Sequence, residues 1–187
     1  MLMLKKLIIV ASFFLFVIPS TQAQKVFIAT GGKVNFFSAT PLENIDANTQ
    51  SMTAVLTTVT NKILFTVPMR TFKFEKSLME EHFNEKYVES ETYPKAGFKG
   101  VINEQIDWLR DTVATVTATG SFELHGVTRE ITETGTLKVE GERISLDVTF
   151  DVKLADYKIR IPKVVMMNIA EIIKVNLNAN FIPYVKK

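Results

Sequence analysis

Two histidines are the only imidazoles in this 187-residue chain. His82 lies in the run Glu80-Glu81-His82-Phe83-Asn84-Glu85. On a helix, His82 and Glu85 are three positions apart and share a face, while Glu81 lies off it. A metal centre would need more ligands converging on that face. No second histidine is near, so the spacing favours a histidine hydrogen-bonded where a helix meets the rest of the fold. His125 precedes Gly126 at what reads as a hairpin tip. It could donate a hydrogen bond to a polar head group, but the turn alone explains a residue that tolerates positive φ. No metal site is expected.

Other chemistry is thin. Cysteine is absent, which removes disulfides, thiol nucleophiles and thiolate metal sites. No serine stands in a G-x-S-x-G elbow, and Gly31-Gly32 lacks the Lys-Ser/Thr context of a phosphate loop. Asp147 and Asp151 share one strand face, but that face reads as the wet one. No catalytic residue and no cofactor is expected.

The elements that would position a site are strands. Ala114, Val116, Ala118, Gly120, Phe122 and Leu124 alternate with Thr115, Thr117, Thr119, Ser121 and Glu123. After the turn, Ile131, Gly135, Leu137 and Val139 oppose Thr132, Thr134, Thr136 and Lys138. Gly141-Glu142 then leads into Ile144, Leu146, Val148, Phe150, Val152 and Leu154 on one face. Near the end, Val175, Leu177, Ala179 and Phe181 oppose Lys174, Asn176, Asn178 and Asn180. Period-two alternation of this kind makes strands with one apolar face. Earlier strands are expected at Lys33–Ala39, Thr53–Val59, Lys62–Val67, Arg70–Glu75 and Phe98–Ile106, with Pro68 at an edge or bend. Two short helices interrupt them. One opens with Ser77 and Glu80 as a capping box, carries Met79, Phe83 and Tyr87 on a stripe and ends before Pro94; the other covers Val164–Glu171. Eight or nine long strands imply a sandwich or a closed barrel, and closure hides edges that strands of this length would expose.

The inward face mixes 14 phenylalanines, counted over the whole chain, with small residues. Ala114, Ala118, Gly120, Gly135 and Ala179 stand where a packed core would carry Leu or Ile. Two explanations stay open: room for an apolar guest, or a taper that mixes small and large liners. Phenylalanine has no polar handle and suits a dry interior.

Residues 1–23 read as a secretory signal peptide. Lys5 and Lys6 form the basic region, Leu7–Ile18 the apolar one, and Thr21-Gln22-Ala23 the cleavage site. The apolar run is shorter than the roughly 20 residues of a spanning helix. The mature domain, 24–187, would carry 20 basic and 20 acidic residues once Lys5 and Lys6 are gone. With no basic run, nucleic acid is not an expected partner. The expected location is the periplasm or the outside of the cell, without a lipid anchor.

The sequence resembles the YceI-like family of exported lipid-binding proteins. The resemblance is carried by four stretches: Lys33 to Ile45; Leu78 to Tyr87 with Tyr93-Pro94-Lys95-Ala96 and Phe98-Lys99-Gly100; Gly120 to Ile131, including Leu124-His125-Gly126-Val127-Thr128; and Leu154 to Pro162 followed by Ile169-Ala170. It implies an all-β fold, an extended eight-stranded antiparallel lipocalin-like barrel with one or two short helices, holding an isoprenoid or other amphiphilic chain, an isoprenoid quinone among the options. Beside that family, Gln24–Thr30 reads as a short first strand. The expected lining comprises Phe36, Phe65, Phe83, Phe98, Ala114, Val116, Ala118, Gly120, Phe122, Leu146, Val148, Phe150, Leu177 and Ala179. His82 and His125 are the expected head-group contacts.

A non-catalytic carrier of an apolar small molecule or lipid is therefore the leading expectation. A homodimer and a transient membrane contact are both compatible with it. The alternatives are a stress-response protein or enzyme using His82 and His125, and an outer-membrane barrel. The second conflicts with a chain ending in Tyr184-Val185-Lys186-Lys187 and with the scarcity of Trp and Tyr girdle residues.

Overall fold

The structure, a computed structural model, describes residues 26–163 and 167–185. The signal peptide inferred for residues 1–23 lies outside the described residues. Among the described residues there are nine strands: β1 (Val26–Ala39), β2 (Asn44–Thr57), β3 (Lys62–Pro68), β4 (Lys73–Phe74), β5 (Lys95–Ile102), β6 (Thr112–Leu124), β7 (Val127–Glu140), β8 (Arg143–Lys153) and β9 (Ile172–Pro183). Eight of them close a barrel in the order β1-β9-β8-β7-β6-β5-β3-β2, with β2 pairing back to β1. Every neighbour is antiparallel, and the two-residue β4 pairs with β2 near its start, at Ala47 and Asn48. Closure pairs both sides of every long strand except along the upper halves of β7 and β8, where the ladder stops at Gly135–Val148.

The alternation read from the sequence sets which face turns in. On β6 to β9 the apolar set points inward, while Thr132, Thr134, Thr136, Asp147, Asp151, Lys174 and Asn176 are exposed. A membrane barrel needs the reverse arrangement, an outward apolar band. The β6–β7 turn has His125 at φ 51° and Gly126 at φ 68°, the two positive angles that a tight two-residue hairpin requires.

The inside is filled at one end only. Met52, Leu56, Ile63, Ile102, Leu137, Val139, Ile144 and Phe181 are all 2% exposed or less and form a packed floor. A short helix, α1 (Ser77–His82), and a π-helical turn over Phe83–Tyr87 cover the other end.

Several local expectations are corrected. The first strand is not short: β1 runs 14 residues through Gly31, which sits at φ 75° where the register with β2 shifts. A bulge absorbs the two glycines and keeps the strand continuous. Of the strand expected at Arg70–Glu75 only Lys73–Phe74 forms; Pro68 ends the β3 ladder, Met69–Thr71 is a 3₁₀ turn, and Thr71 Oγ donates to the Pro68 carbonyl at 2.7 Å. The strand expected at Phe98–Ile106 is Lys95–Ile102, because the Glu104 carboxylate takes the Thr117 N–H at 2.7 Å where a ladder partner would stand.

The capping box does not form either. Lys76 is the N-cap, and the Glu80 carboxylate accepts from Lys73 Nζ at 2.6 Å and the Phe74 N–H at 3.4 Å. The α-helix ends early because Val88 N–H bonds the Phe83 carbonyl, five residues back. Of the second expected helix, residues 164–166 lie outside the described residues, and 167–171 are turn and coil.

A candidate ligand cavity inside the barrel

Between the packed floor and the helical roof lies a cavity of about 540 Å³, within the usual range for small-molecule sites. Its wall is built from the inward phase of the strands. Eleven of the fourteen expected liners are on it: Phe36, Phe65, Phe83, Phe98, Val116, Ala118, Phe122, Leu146, Val148, Phe150 and Leu177.

Ala114, Gly120 and Ala179 do not line it. Ala114 pairs with Leu137 and Ala179 with Leu146, so both lie level with the packed floor. Gly120 answers a different demand. A Cβ built there would stand 2.3 Å from the Lys99 carbonyl oxygen and 2.4 Å from Gly100 Cα. Its smallness lets two strands approach and leaves no room for a guest.

Aromatic rings gather beneath the roof. Phe36, Phe72, Phe74 and Phe83 form a cage with five ring–ring contacts at centroid distances of 5.0 to 5.7 Å. Separate from it, Phe65 meets Phe98 at 6.5 Å, and Phe122 meets Phe150 at 6.0 Å and Tyr157 at 5.4 Å. Phe72 follows the 3₁₀ turn, Phe74 is on the two-residue β4 and Phe83 is on the roof, segments too short or irregular for period-two reading to mark them as lining.

Polar groups are few and sit in two places. At the mouth, Lys76 Nζ bonds Glu43 Oε1 at 2.9 Å and Asn168 Nδ2 bonds Glu43 Oε2 at 3.2 Å. The lysine and the amide hold the Glu43 carboxyl below its ordinary range, and the same bond raises the Lys76 ammonium. Ser38, 1% exposed, spends its hydroxyl on the Ala170 N–H at 2.8 Å. Deeper in stands Glu133, which alternation reading passes over because its neighbours Ile131, Gly135, Leu137 and Val139 are apolar. Its phase on β7 is nonetheless inward, and burial pushes its carboxyl up, with the like charge of Asp151 adding to the effect.

The histidines separate. His82 is on the cavity wall at the roof. His125 is not: its Nδ1 lies 3.0 Å from the Tyr157 carbonyl oxygen, and its ring packs on Tyr93 with centroids 4.6 Å apart. The expectation that both reach a head group is corrected for His125, whose contacts hold a hairpin outside the cavity. The two rings therefore do not form one site. Among the described residues no cluster of three or more His, Asp or Glu is placed to hold a metal ion.

The fold has solved counterparts. A polyisoprenoid binding domain from Saccharophagus degradans, implicated in plant cell wall breakdown, superposes with a TM-score of 0.71 at 15% identity, over 86% of this chain and 99% of that one. BcnA from Burkholderia cenocepacia gives 0.65 at 13% identity over 80% and 95%. A YCEI protein from Campylobacter jejuni gives 0.59 at 14% over 75% and 85%. At such identities the likeness is one of fold. No curated protein matches the sequence. Residues 22–181 match the YceI-like domain, and with that span, the closed barrel and the apolar interior agreeing, the chain belongs to the YceI-like domain family.

Proposed function

We propose that the protein is an exported, non-catalytic carrier that holds one long apolar or amphiphilic molecule, of the isoprenoid class, along the inside of its barrel. The observation that carries this is the cavity: a space of about 540 Å³ walled by phenylalanine and aliphatic side chains, with its polar groups gathered at the mouth and at one deeper position. Water in such a space would lack hydrogen-bond partners, so replacing it with hydrocarbon is favoured by roughly 25 cal/mol per Å² of apolar surface removed from water. The polyisoprenoid-binding activity named for the Saccharophagus relative supports the choice of ligand class. Export rests on the leader pattern of residues 1–23.

Holding rather than converting is supported by the state of the cavity's polar groups. Lys76 and Glu43 are committed to each other and Ser38 to a backbone N–H. Organic extraction of protein purified from its native compartment, followed by mass spectrometry, tests the reading. A stoichiometric isoprenoid is the expected result. Protein that carries nothing and takes up no isoprenoid or fatty amide from micelles would overturn it.

A further inference from the structure

From Ile131 to Val139 the inward series of β7 holds one charged group: Ile131, Glu133, Gly135, Leu137 and Val139 share a face, and Glu133 is the exception to its apolarity, while Arg129, of the same phase, is exposed and pairs with Asp156 off the cavity wall. The side chain is partly buried and lines the cavity. Among the described residues no donor hydrogen-bonds to it and no cation pairs with it. The other carboxylates that depart from their ordinary range, Glu43, Glu80 and Glu104, all do so through donors that hold them. Glu133 departs in the opposite direction, without one.

Its surroundings leave space for a donor from elsewhere. The residue across the ladder on β6 is the small Ala118, on the cavity wall; the next inward residue on β7, Gly135, is closely covered by Val148 and Leu146 of β8. Leu137, two positions further, is fully buried in the floor. Glu133 therefore stands on the wall above the floor, between Gly135 and Ile131 and within electrostatic reach of Tyr157, with the Phe36–Phe72–Phe74–Phe83 cage beneath the roof. The wall also changes here. The β7–β8 ladder runs from Glu140–Arg143 to Gly135–Val148 and stops, although β7 continues back to Val127 and β8 on to Lys153. Phe150 and Val152 on one side and Ile131 and Glu133 on the other line the cavity along this unzipped seam. An ion pair between Arg129 and Asp156, 3.7 Å apart, stands at its upper end.

A carboxyl facing apolar space without a partner costs more than an aliphatic side chain of similar size would. A guest that brings a hydrogen-bond donor to it removes that cost, and one that brings an anion adds to it. We propose that Glu133 anchors the guest: its carboxylate accepts a hydrogen bond from a hydroxyl, phenol or amine at the polar end of an isoprenoid. The tail then runs away from the floor to the phenylalanine cage. This deepens the carrier reading and rests on it. The tube thus selects for uncharged or cationic donor heads and against carboxylate or phosphate heads at this depth.

Delipidated full-length mature protein, with its E133Q and E133L variants, is titrated calorimetrically with farnesol, farnesylamine, farnesyl methyl ether and farnesoic acid. The four share one tail and differ in the head. The wild type is expected to bind the alcohol and the amine at least about tenfold more tightly than the ether and the acid, the scale of one hydrogen bond to a charged group. E133L should bind the ether as well as wild type does and lose the preference for alcohol and amine. E133Q, whose amide oxygen still accepts, should keep the alcohol and lose the extra affinity for the amine. Equal binding of ether and alcohol by wild type, or an unchanged ranking in E133L, overturns the anchor while leaving the carrier reading intact. Failure of wild type to bind any of the four overturns both. Thermal melts of the variants show that they are folded before any titration is read.

Discussion

Gly100 faces Gly120 across the β5–β6 ladder, and the strands come so close that a Cβ on Gly120 would sit 2.4 Å from Gly100 Cα. Both neighbours in this clash are backbone, which cannot swing aside. Even Gly120→Ala should therefore destabilise the barrel, by more than the roughly 1 kcal/mol typical of point substitutions, and Gly120→Leu should not fold. Melting temperatures of purified variants check this.

Ala118, two residues earlier, is the counterpart that does line the cavity. Ala118→Phe points a ring into open space, so the barrel should fold with its melting temperature within a few degrees of wild type, given ~2–4 °C per kcal/mol for a chain of this length. The volume it fills is taken from the guest. Uptake of an isoprenoid alcohol should fall at least about tenfold, a change of ~1.4 kcal/mol. Calorimetric titration reads it directly, and an unchanged affinity would place the guest elsewhere.

Phe83 touches Phe36, Phe72 and Phe74 at 5.4, 5.6 and 5.0 Å, so it ties the roof to the wall. It is partly rather than fully buried. Phe83→Ala is expected to cost about 2–3 kcal/mol, below the ~3–5 kcal/mol of a fully buried Phe, and to loosen the π-helical turn that begins at this residue. Hydrogen exchange of the amides of Asn84 to Val88 should rise more than that of β8 and β9. Uniform exchange across all elements would show that the roof is not held through this ring.

Most of the barrel was legible because a strand's periodicity records which side is dry. The inward sets on β6, β8 and β9 coincide with the expected ones. Alternation says nothing, however, about height along the tube. Ala114, Ala118 and Ala179 have the same phase and the same size, and only tertiary stacking puts two of them beside the floor and one beside the cavity. Glycine is ambiguous in a further way, since Gly120 and Gly135 both answer the close approach of a neighbouring strand's carbonyl, yet only Gly135 also borders the cavity. Glu133 was hidden because a single polar residue in an apolar series reads as noise, although its parity already fixed its direction. The cage beneath the roof was least legible: beside Phe36 of β1, its rings come from the end of a 3₁₀ turn, a two-residue strand and a π-helical turn, and no period describes these.

His125 should behave as a structural residue. It holds φ 51° and places Nδ1 3.0 Å from the Tyr157 carbonyl oxygen. His125→Ala removes that bond and puts a residue with no polar side chain at a left-handed position, a combined cost of about 1–3 kcal/mol. The melting temperature should fall while isoprenoid affinity stays at the wild-type level. A loss of affinity without a loss of stability would return His125 to the list of head-group contacts.

Glu133 makes the empty barrel respond to pH in a direction opposite to its paired carboxylates. Burial and the nearby charge of Asp151 raise its carboxyl above the ordinary value of 4.5, so the folded chain binds this proton more tightly than the unfolded chain does. Folding is then favoured while the group is protonated, below the unfolded value, and the contribution is lost as pH rises through the folded one. Glu43 runs the other way: its lowered carboxyl favours folding above the unfolded value, and that contribution is lost as pH falls through the lowered one. Glu133→Gln removes only the first contribution. The variant should therefore melt above wild type on the alkaline side, where the wild-type contribution has been lost, and the difference should shrink towards zero as pH falls below the unfolded value. A bound donor should shrink it too, because the guest's hydrogen bond stabilises the same charge in wild type. Melts of delipidated protein across that range, with and without farnesol, measure both effects. A stability difference that grows as pH falls would mean that the Glu133 carboxylate is held by a donor in the protein, and the charge would not be free to meet a guest.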